Sequence, residues 1–289
     1  MTETAAFRIG ELSRRTGVSP ELLRAWERRY GLLRPARSAG GLRLYSQEDL
    51  ARVQSMQRHL AEGFAAAQAA ALAARAAPGD DAPAADDLAA ALARFDEGAA
   101  NAVFDELLAR LSLDTLLEKV VLPYLHELGG QWERGEVSVA QEHFASSLLR
   151  GRLLGLARGW GQGLGPTAVL ACAPGEHHDL GLLGFGLALR TRGWRIVYLG
   201  ADTPTSSVAD AARSCDPAFV IVSAVDTRTL RRHKAEIEQL ATEFHLCLGG
   251  AAAAKIRLDA DVLALTGGPV EEAEQLTHVA AEAAAGSLG

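Results

Sequence analysis

The sequence predicts a chain of three parts: a small basic helix-turn-helix head, a bundle of helices, and an open α/β domain with a parallel sheet. Three observations predict it. Residues 1–60 carry eleven arginines and no lysine. Apolar residues then recur at helical spacing through the middle of the chain. After Gly163, short apolar runs alternate with helical stretches. A chain of 289 residues has room for these parts and their cores.

Charge is distributed unevenly along the chain. The net charge of the chain is −7. Residues 1–60 contain eleven arginines and six acidic residues, whereas the rest of the chain contains 18 basic and 30 acidic side chains. A basic head on an acidic body predicts that only the head contacts a polyanion. We find no signal-peptide pattern and no apolar run long enough to span a membrane, so a cytoplasmic protein is expected. Cys172, Cys215 and Cys247 are isolated and are expected to be small core residues.

The head reads as two helices and a wing. The first helix covers residues 9–16 and stops at Gly17. Ser19-Pro20 is typical of an N-cap followed by the first helical position, and it opens a second helix that runs to Tyr30. A short turn containing glycine between two helices is the helix-turn-helix arrangement. Residues 31–45 then predict a β-hairpin wing, and a further helix follows Ser46.

An ordered set of motifs runs through this head. It consists of Leu23-Arg24-Ala25-Trp26-Glu27-Arg28-Arg29-Tyr30-Gly31, then Pro35 and Arg37, then Gly40-Gly41-Leu42-Arg43-Leu44-Tyr45. The set resembles the winged helix-turn-helix of the MerR family, which implies that residues 1–75 bind double-stranded operator DNA. The side chains expected to contact DNA are Arg14, Arg15, Arg24, Arg28, Arg29, Arg37, Arg43 and Tyr45.

The middle of the chain predicts a linker and a four-helix bundle. Residues 76–86 contain two prolines, a glycine and several aspartates, which favours a linker. Residues 87–163 carry four apolar stripes at helical spacing with short connections between them, which is typical of a four-helix bundle.

Residues 164–289 predict a parallel sheet covered by helices. Five short apolar runs are separated by helical stretches, and five strands in about 120 residues fit a flavodoxin-like, Rossmann-type order. The runs are Val169-Leu170-Ala171, Ile196-Val197-Tyr198-Leu199, Phe219-Val220-Ile221-Val222, His245-Leu246-Cys247-Leu248 and Val262-Leu263-Ala264-Leu265.

The loop after the first of these strands reads Glu176-His177-His178-Asp179-Leu180-Gly181. A side chain at the end of a parallel strand points into the crevice where open α/β sheets bind ligands. Imidazole is a good ligand for first-row metals, and a carboxylate two positions earlier can accept the other ring N–H and fix the ring. The pattern E-x-H-x-x-G resembles the signature of cobalamin-binding domains, whose histidine ligates cobalt.

The register of this resemblance selects His178 over His177, because only from His178 does Gly181 lie three positions on and Glu176 two positions back. It implies that His178 is the lower axial cobalt ligand and that Glu176 orients its ring. It also implies that Gly181 lets the nucleotide tail of the cofactor approach the backbone. The neighbouring His177 is a competing imidazole.

A second group of residues lies in the predicted bundle. Trp132 ends one helix, and Glu142-His143 lies in the first turns of the next, so the three could face one cavity. W-x9-E-H, followed by E-x-H-x-x-G behind a MerR-type head, resembles the CarH/LitR family of cobalamin-dependent photoreceptor repressors. The resemblance adds Ser223 and Val225 after the third strand and Gly249-Gly250 after the fourth to the cofactor-binding residues. The segment Leu199-Gly200-Ala201-Asp202-Thr203-Pro204 also agrees with it.

The resemblance implies a function and its cofactor. Adenosylcobalamin would be bound in the dark, with Trp132 and Glu142 against its adenosyl group and His143 able to ligate cobalt once that group has left. The cofactor-bound form would be a homotetramer on operator DNA that light disassembles, and the protein would not be an enzyme. Two alternatives stay open. One is a cobalamin-sensing MerR-type regulator that does not use light, and the other is a corrinoid module of a methyltransferase, against which the basic head argues.

Overall fold

The computed structural model describes residues 7–37, 41–61, 64–75 and 81–286. The chain divides into two compact units, Met1–Ser112 and Leu113–Gly289. The first unit contains the head and the helices that follow it, and the second contains further helices and the parallel sheet.

The helices of the head begin and end where the sequence predicts. Helix α1 spans Ile9–Thr16, and Gly17 ends it in the left-handed conformation at φ 68°. Helix α2 spans Pro20–Tyr30, and the Ser19 side chain accepts a hydrogen bond from the backbone N–H of Leu22. Gly31 ends α2 at φ 62°. The predicted helix-turn-helix is therefore confirmed.

The predicted wing is present as a short hairpin. Strand β1, Ala36–Arg37, pairs antiparallel with β2, Arg43–Leu44, and Tyr45 bridges back to Phe7. Gly40, which belongs to the wing motif, lies outside the described residues. The core of the head is formed by apolar side chains of the helices and the wing, among them Leu12, Leu23, Trp26, Leu32, Tyr45, Val53 and Met56.

Four helices follow the wing among the described residues of the first unit. They are α3 at Gln47–Ala61, α4 at Ala66–Arg75, α5 at Asp81–Ala93 and α6 at Glu97–Arg110. Helix α5 contacts α6, and α6 contacts α4. These contacts explain why the boundary between the compact units falls after Ser112, inside the stretch 87–163 that was expected to form one bundle.

The expected linker of residues 76–86 requires a correction. Residues 76–80 lie outside the described residues, but residues 81–86 are helical because α5 begins at Asp81. Pro83 falls in the first turn of α5, where a backbone N–H has no intrahelical acceptor and proline is tolerated. Acidic residues are also favourable near a helix N-terminus. Proline and aspartate therefore start this helix, whereas their pattern in the sequence predicts a linker.

The second unit opens with the other two predicted helical stretches. The first consists of α7 at Leu113–Leu116, a π-helical segment at Leu117–Val121 and α8 at Leu122–Glu133. The second is α9 at Val139–Leu156, which begins with a capping box between Ser138 and Gln141. The four predicted helical stretches are thus present, although the π-helical segment was not expected.

The parallel sheet has the predicted flavodoxin-like order. Its strands are β3 at Thr167–Cys172, β4 at Arg195–Gly200, β5 at Phe219–Ser223, β6 at Leu246–Gly249 and β7 at Leu263–Ala264. Their order is β4-β3-β5-β6-β7 and every pair is parallel. The helices between and after the strands are α10 at Leu180–Thr191, α11 at Thr205–Cys215, α12 at Thr227–Arg232, α13 at Lys234–Glu243 and α14 at Pro269–Gly286.

The strand order fixes where a ligand can bind. The chain leaves β3 towards β4 on one side and reaches β5 on the other side, so the connections diverge between β3 and β5. Open α/β sheets bind ligands in the crevice that such a divergence creates at the carboxyl ends of the strands. The loop of residues 173–179 follows β3 and the loop of residues 224–226 follows β5, so these two loops border the crevice.

Candidate functional site

A buried carboxylate joins the two loops of the crevice. Glu176, in the loop after β3, is 3% exposed. Its Oε2 accepts hydrogen bonds from the backbone N–H groups of Val225 at 2.7 Å and Asp226 at 3.3 Å, both in the loop after β5. Its Oε1 accepts the backbone N–H of His178 at 3.0 Å. The sequence pattern marked Glu176 as a partner of histidine, and the structure adds that it links the two loops that border the crevice.

His178 is oriented by this carboxylate. Its Nδ1 lies 2.6 Å from Glu176 Oε1, while its side chain is 74% exposed. Burial acts to raise the pKa of Glu176, but the hydrogen bonds from His178, Val225 and Asp226 outweigh it and hold the pKa below 4.5. A charged carboxylate requires a proton on Nδ1, which leaves the Nε2 lone pair free and exposed. This is the tautomer that a metal ligand needs.

The charge on Glu176 also links folding to pH. Because the folded pKa is depressed, the ionised carboxylate contributes stability above its unfolded value near 4.5, and this contribution is lost as pH falls through the lower folded pKa. At neutral pH the group is therefore ionised and the ring of His178 is held. The adjacent His177 is exposed, and its ring makes no hydrogen bond with another described residue.

The other predicted residues of the crevice differ in what constrains them. A Cβ added to Gly181, in the first turn of α10, would meet no other atom within 4 Å, so this glycine borders open space. Ser223 is buried at the end of β5 and Val225 is 46% exposed beside Glu176. A Cβ on Gly249 would lie 3.9 Å from Ser223 Oγ, an ordinary contact. Gly250, by contrast, has φ 83° and its Cβ would lie 2.4 Å from the carbonyl oxygen of Ala224.

A third loop supports the His178 loop from the side. Asp202, which follows β4, accepts the backbone N–H of Gly175 at 2.6 Å through Oδ1. The backbone N–H of Asp202 in turn donates to the carbonyl of Glu176 at 2.8 Å. Asp202 has φ 46°, a conformation that aspartate tolerates better than most residues. The segment Leu199-Gly200-Ala201-Asp202-Thr203-Pro204 thus has a structural role in this site.

The sequence reading missed a group of residues beside His178. Asp179 is 3% exposed, and Arg150 of α9 donates to it from Nε at 3.0 Å and from Nη2 at 2.6 Å. The Tyr198 hydroxyl donates to the same carboxylate at 2.8 Å. These residues are 29 and 19 positions from Asp179 in the sequence. No local motif joins them, so the fold was needed to find them.

We call Trp132, Glu142 and His143 the upper-face residues, because the resemblance implies that they lie on the adenosyl side of the cofactor. They lie on two helices that a turn connects. Trp132 is in the last turn of α8 and is 48% exposed, and Gly135, at φ 72°, turns the chain before α9. Glu142 is in the first turn of α9 and accepts the Ser146 hydroxyl at 2.6 Å. His143 Nε2 lies 3.6 Å from Glu142 Oε2, and its ring is 72% exposed.

Helical periodicity relates His143 to the crevice. His143 and Arg150 are seven residues apart in α9, so they share one face of this helix. Arg150 contacts Asp179, the residue after His178. The face of α9 that carries His143 is therefore turned towards the His178 loop, and the helical rise places His143 about 10 Å along the axis from that contact.

The arginines of the head differ in what they contact. Arg14 and Arg15 pair with Glu11, and Arg15 also lies over the Phe7 ring. Arg24 lies 4.0 Å from Glu21. Arg43 donates from Nε to Glu27 at 2.9 Å. Arg28, Arg29 and Arg37 are exposed and form no ion pair with any residue in the described part of the head, although Arg29 lies over the Tyr30 ring.

Tyr45 requires a correction as an expected DNA contact. Its side chain is fully buried in the core of the head, and its hydroxyl donates to Glu27 at 2.9 Å. Burial, followed by this bond to Glu27, raises its pKa to about 12. Tyr45 and Arg43 both hold Glu27, which lies on helix α2. In this structure Tyr45 therefore positions the wing against α2 and does not reach DNA.

Arg28→Ala should weaken binding to duplex DNA of mixed sequence and reduce the slope of log affinity against log salt by about 0.9, because one phosphate contact is lost. Arg37→Ala should act in the same way. Arg213→Ala is the control, because Arg213 lies outside the head, in α11, and pairs with Glu243. Fluorescence anisotropy at several salt concentrations measures the slopes. An unchanged slope for both Arg28→Ala and Arg37→Ala would contradict this assignment of the DNA-binding surface.

Three stretches of the chain match known protein families. Residues 7–76 match the MerR HTH family of regulatory proteins, and residues 84–154 and 166–285 match two families described as B12 binding domains. The chain is 34% identical over 267 residues to the HTH-type transcriptional repressor CarH of Myxococcus xanthus, covering 86% of this chain and 89% of CarH. The chain belongs to the CarH family of MerR-type, cobalamin-binding repressors.

Other comparisons agree with membership of the CarH family. The chain is 31% identical over 256 residues to the HTH-type transcriptional repressor CarA of Myxococcus xanthus, covering 86% of this chain and 87% of CarA. The monomethylamine corrinoid protein of Methanosarcina barkeri is 20% identical with a TM-score of 0.56, and the match covers 69% of this chain and 99% of that protein. This last likeness shows the fold. No helix among the described residues has the length and apolarity to cross a membrane.

Family membership identifies the class of function. As a CarH-family protein, the chain is a DNA-binding transcriptional repressor with a cobalamin cofactor, and it is not an enzyme. The donor set fits this cofactor, because His178 offers one free imidazole nitrogen beside open space at Gly181. Within the described residues no three His, Cys, Asp or Glu side chains gather to hold a bare metal ion. A metal that already carries its other ligands suits such a site.

Proposed function

We propose that this protein is a light-responsive repressor that depends on adenosylcobalamin. In the dark, a cofactor-bound tetramer holds operator DNA, and illumination disassembles it and relieves repression. The adenosyl form of cobalamin supplies a Co–C bond that light breaks. In this proposal His178 would hold the cobalt of the cofactor, and Glu176 fixes the His178 ring. The residues that would distinguish adenosylcobalamin from other cobalamins are on helices α8 and α9.

The exposed ring of Trp132 carries the proposal. A tryptophan that is 48% exposed at the end of α8 leaves a large apolar surface uncovered by the described residues. Glu142, across the turn at Gly135, retains Oε2 as an acceptor for a hydroxyl or amine. An apolar plane and a carboxylate oxygen on the two helices that this turn joins would suit a purine with its ribose, whereas a bare corrinoid has no such group to offer them.

The position of His143 on α9 would make the His178 loop sensitive to whether the adenosyl group is present. His143 lies on the same face as Arg150, which contacts the residue after His178. Loss of the adenosyl group would leave the exposed part of the Trp132 ring without packing and Oε2 of Glu142 without that donor. We expect α9 to shift in response, so that His143 would be the residue able to ligate the metal and the surface used for assembly would change.

Assembly would control repression through the number of heads that bind together. Each basic head contacts phosphates with few residues, so a single head binds weakly. Linking several heads in one tetramer makes the second binding event intramolecular and raises affinity without any new contact. Separation of the subunits then releases the DNA.

The test is size-exclusion chromatography of protein reconstituted with adenosylcobalamin, run in the dark and after green light, with absorption spectra to confirm Co–C cleavage. We expect an assembly larger than a dimer in the dark and smaller species after light. Trp132→Ala should weaken the dark assembly, and Trp132→Phe should restore part of it. His143→Ala should alter the illuminated spectrum more than the dark one. An elution volume that light leaves unchanged after confirmed cleavage would favour a light-independent cobalamin sensor.

A further inference from the structure

The carboxylate of Asp179 binds two separate elements of the fold. Arg150 reaches it from helix α9, with Nε at 3.1 Å from Oδ1 and 3.0 Å from Oδ2, and Nη2 at 2.6 Å from Oδ2. Tyr198 reaches it from strand β4 through its hydroxyl at 2.8 Å. Asp179 itself directly follows His178. The buried carboxylate of Asp179 therefore connects the His178 loop with helix α9 and with β4, an edge strand of the sheet.

The orientation of Asp179 is informative because it departs from the usual role of an aspartate at this position. Asp179 is the N-cap of α10, where aspartate normally accepts an N–H of the first helical turn. Here its side chain makes no cap hydrogen bond and turns to Arg150 and Tyr198 instead. Burial, followed by the bond to Asp179, raises the pKa of Tyr198, so the phenol stays protonated and donates. The hydrogen bonds of the Asp179 carboxylate are thus made with α9 and β4 and not with its own helix, α10.

Helix α9 connects this group to the upper-face residues. Glu142 and His143 lie in its first turns, and Arg150 follows about two turns later. The helix contacts both α8, whose last turn carries Trp132, and α10, which begins after Asp179. A movement of α9 along or about its axis would therefore act on Asp179 through Arg150.

We propose that Arg150, Asp179 and Tyr198 form a clamp that positions the His178 loop relative to helix α9, so that the lower ligand and the upper-face residues keep a fixed spacing. These are positioning residues, because none of them is placed on the cofactor. The inference rests on His178 as the cobalt ligand and does not require a light response. It predicts that the clamp orders the loop before cobalamin binds.

The test compares two salt bridges of the same unit. Arg150→Gln breaks the clamp, whereas Arg213→Gln breaks the bridge between Arg213 of α11 and Glu243 at the end of α13. In the apo protein, hydrogen exchange at residues 175–180 should become severalfold faster in Arg150→Gln and stay unchanged in Arg213→Gln. The affinity for hydroxocobalamin should fall about ten-fold in Arg150→Gln, in line with the loss of a group that orients a ligand. Arg150→Lys should restore part of both.

Two further variants separate this inference from the proposed function. Tyr198→Phe removes one donor and should cause a smaller change in loop exchange than Arg150→Gln. His178→Ala should lower affinity while leaving loop exchange in the apo protein slow, because the clamp is intact. The clamp is overturned if Arg150→Gln folds with unchanged loop exchange, or if faster exchange leaves cobalamin affinity unaltered. Should Arg150→Gln fail to fold, Arg150→Lys and Tyr198→Phe provide the same readouts.

Discussion

His178→Ala should weaken the binding of cobalamin about ten-fold and remove the absorption signature of imidazole-ligated cobalt, since metal–imidazole bonding is part of the binding energy. His177→Ala should leave both nearly unchanged. The reason is the geometry of Glu176, which holds Nδ1 of His178 at 2.6 Å and so turns Nε2 of that ring outward. The ring of His177 has no such partner among the described residues. Titration with hydroxocobalamin, followed by absorption, measures affinity and ligation together.

The two histidines are a matched pair, because they are adjacent, exposed and identical in chemistry. Loss of the general properties of a histidine would affect both variants equally. Equal losses of affinity would therefore overturn the assignment of His178 as the ligand. Retention of the imidazole signature in His178→Ala would identify another ligand, with His177 as the first to test.

The parts of the fold that sequence predicted best are those in which local pattern and long-range packing agree. Ser19-Pro20 and Gly31 mark the ends of α2, and the apolar run of residues 167–172 forms β3, a fully buried strand between two neighbours. A buried strand needs apolar residues on both faces, so its sequence is informative without its neighbours. The order of the strands followed from the alternation of strands and helices.

The features that the sequence did not reveal depend on local backbone choices or on distant partners. The π-helical segment Leu117–Val121 has an ordinary apolar pattern, but it packs beside Gly184 of α10, where a Cβ would lie 3.7 Å from Leu117 Cδ2. The start of α5 at Asp81 was missed because proline and aspartate occur both in linkers and in first helical turns.

The candidate site shows the same division. The pattern E-x-H-x-x-G led to Glu176 and His178, since their contact spans only two residues. Asp179 stood within the same motif without a role, because its partners Arg150 and Tyr198 come from elements far along the chain. Tyr45 was expected on the DNA surface, but the bond of its hydroxyl to Glu27 holds it in the core. Partners across the fold decide whether a polar side chain binds a ligand or its own chain.

Gly250→Ala should destabilise the second unit by about 3 kcal/mol, from the cost of a left-handed alanine and of a forced backbone shift. The φ of 83° is unfavourable for alanine, and its Cβ would lie 2.4 Å from the carbonyl oxygen of Ala224. That oxygen cannot move freely, because it accepts the backbone N–H of Ala252 at 3.1 Å. For a unit of this size the loss corresponds to a fall in Tm of roughly 6 to 12 °C, which calorimetry of the apo protein measures.

Gly249→Ala is the control that separates folding from cofactor binding. Its Cβ would make an ordinary contact at 3.9 Å with Ser223 Oγ, so we expect a Tm close to that of the wild type. If the nucleotide tail of cobalamin approaches Gly249, this variant should fold normally and bind hydroxocobalamin more weakly. An apo Gly250→Ala protein as stable as the wild type would show that the loop relaxes around the methyl group, and the second glycine would then need a role at the cofactor. Unchanged affinity for hydroxocobalamin in Gly249→Ala would remove Gly249 from the site, because the added methyl group would then not contact the cofactor.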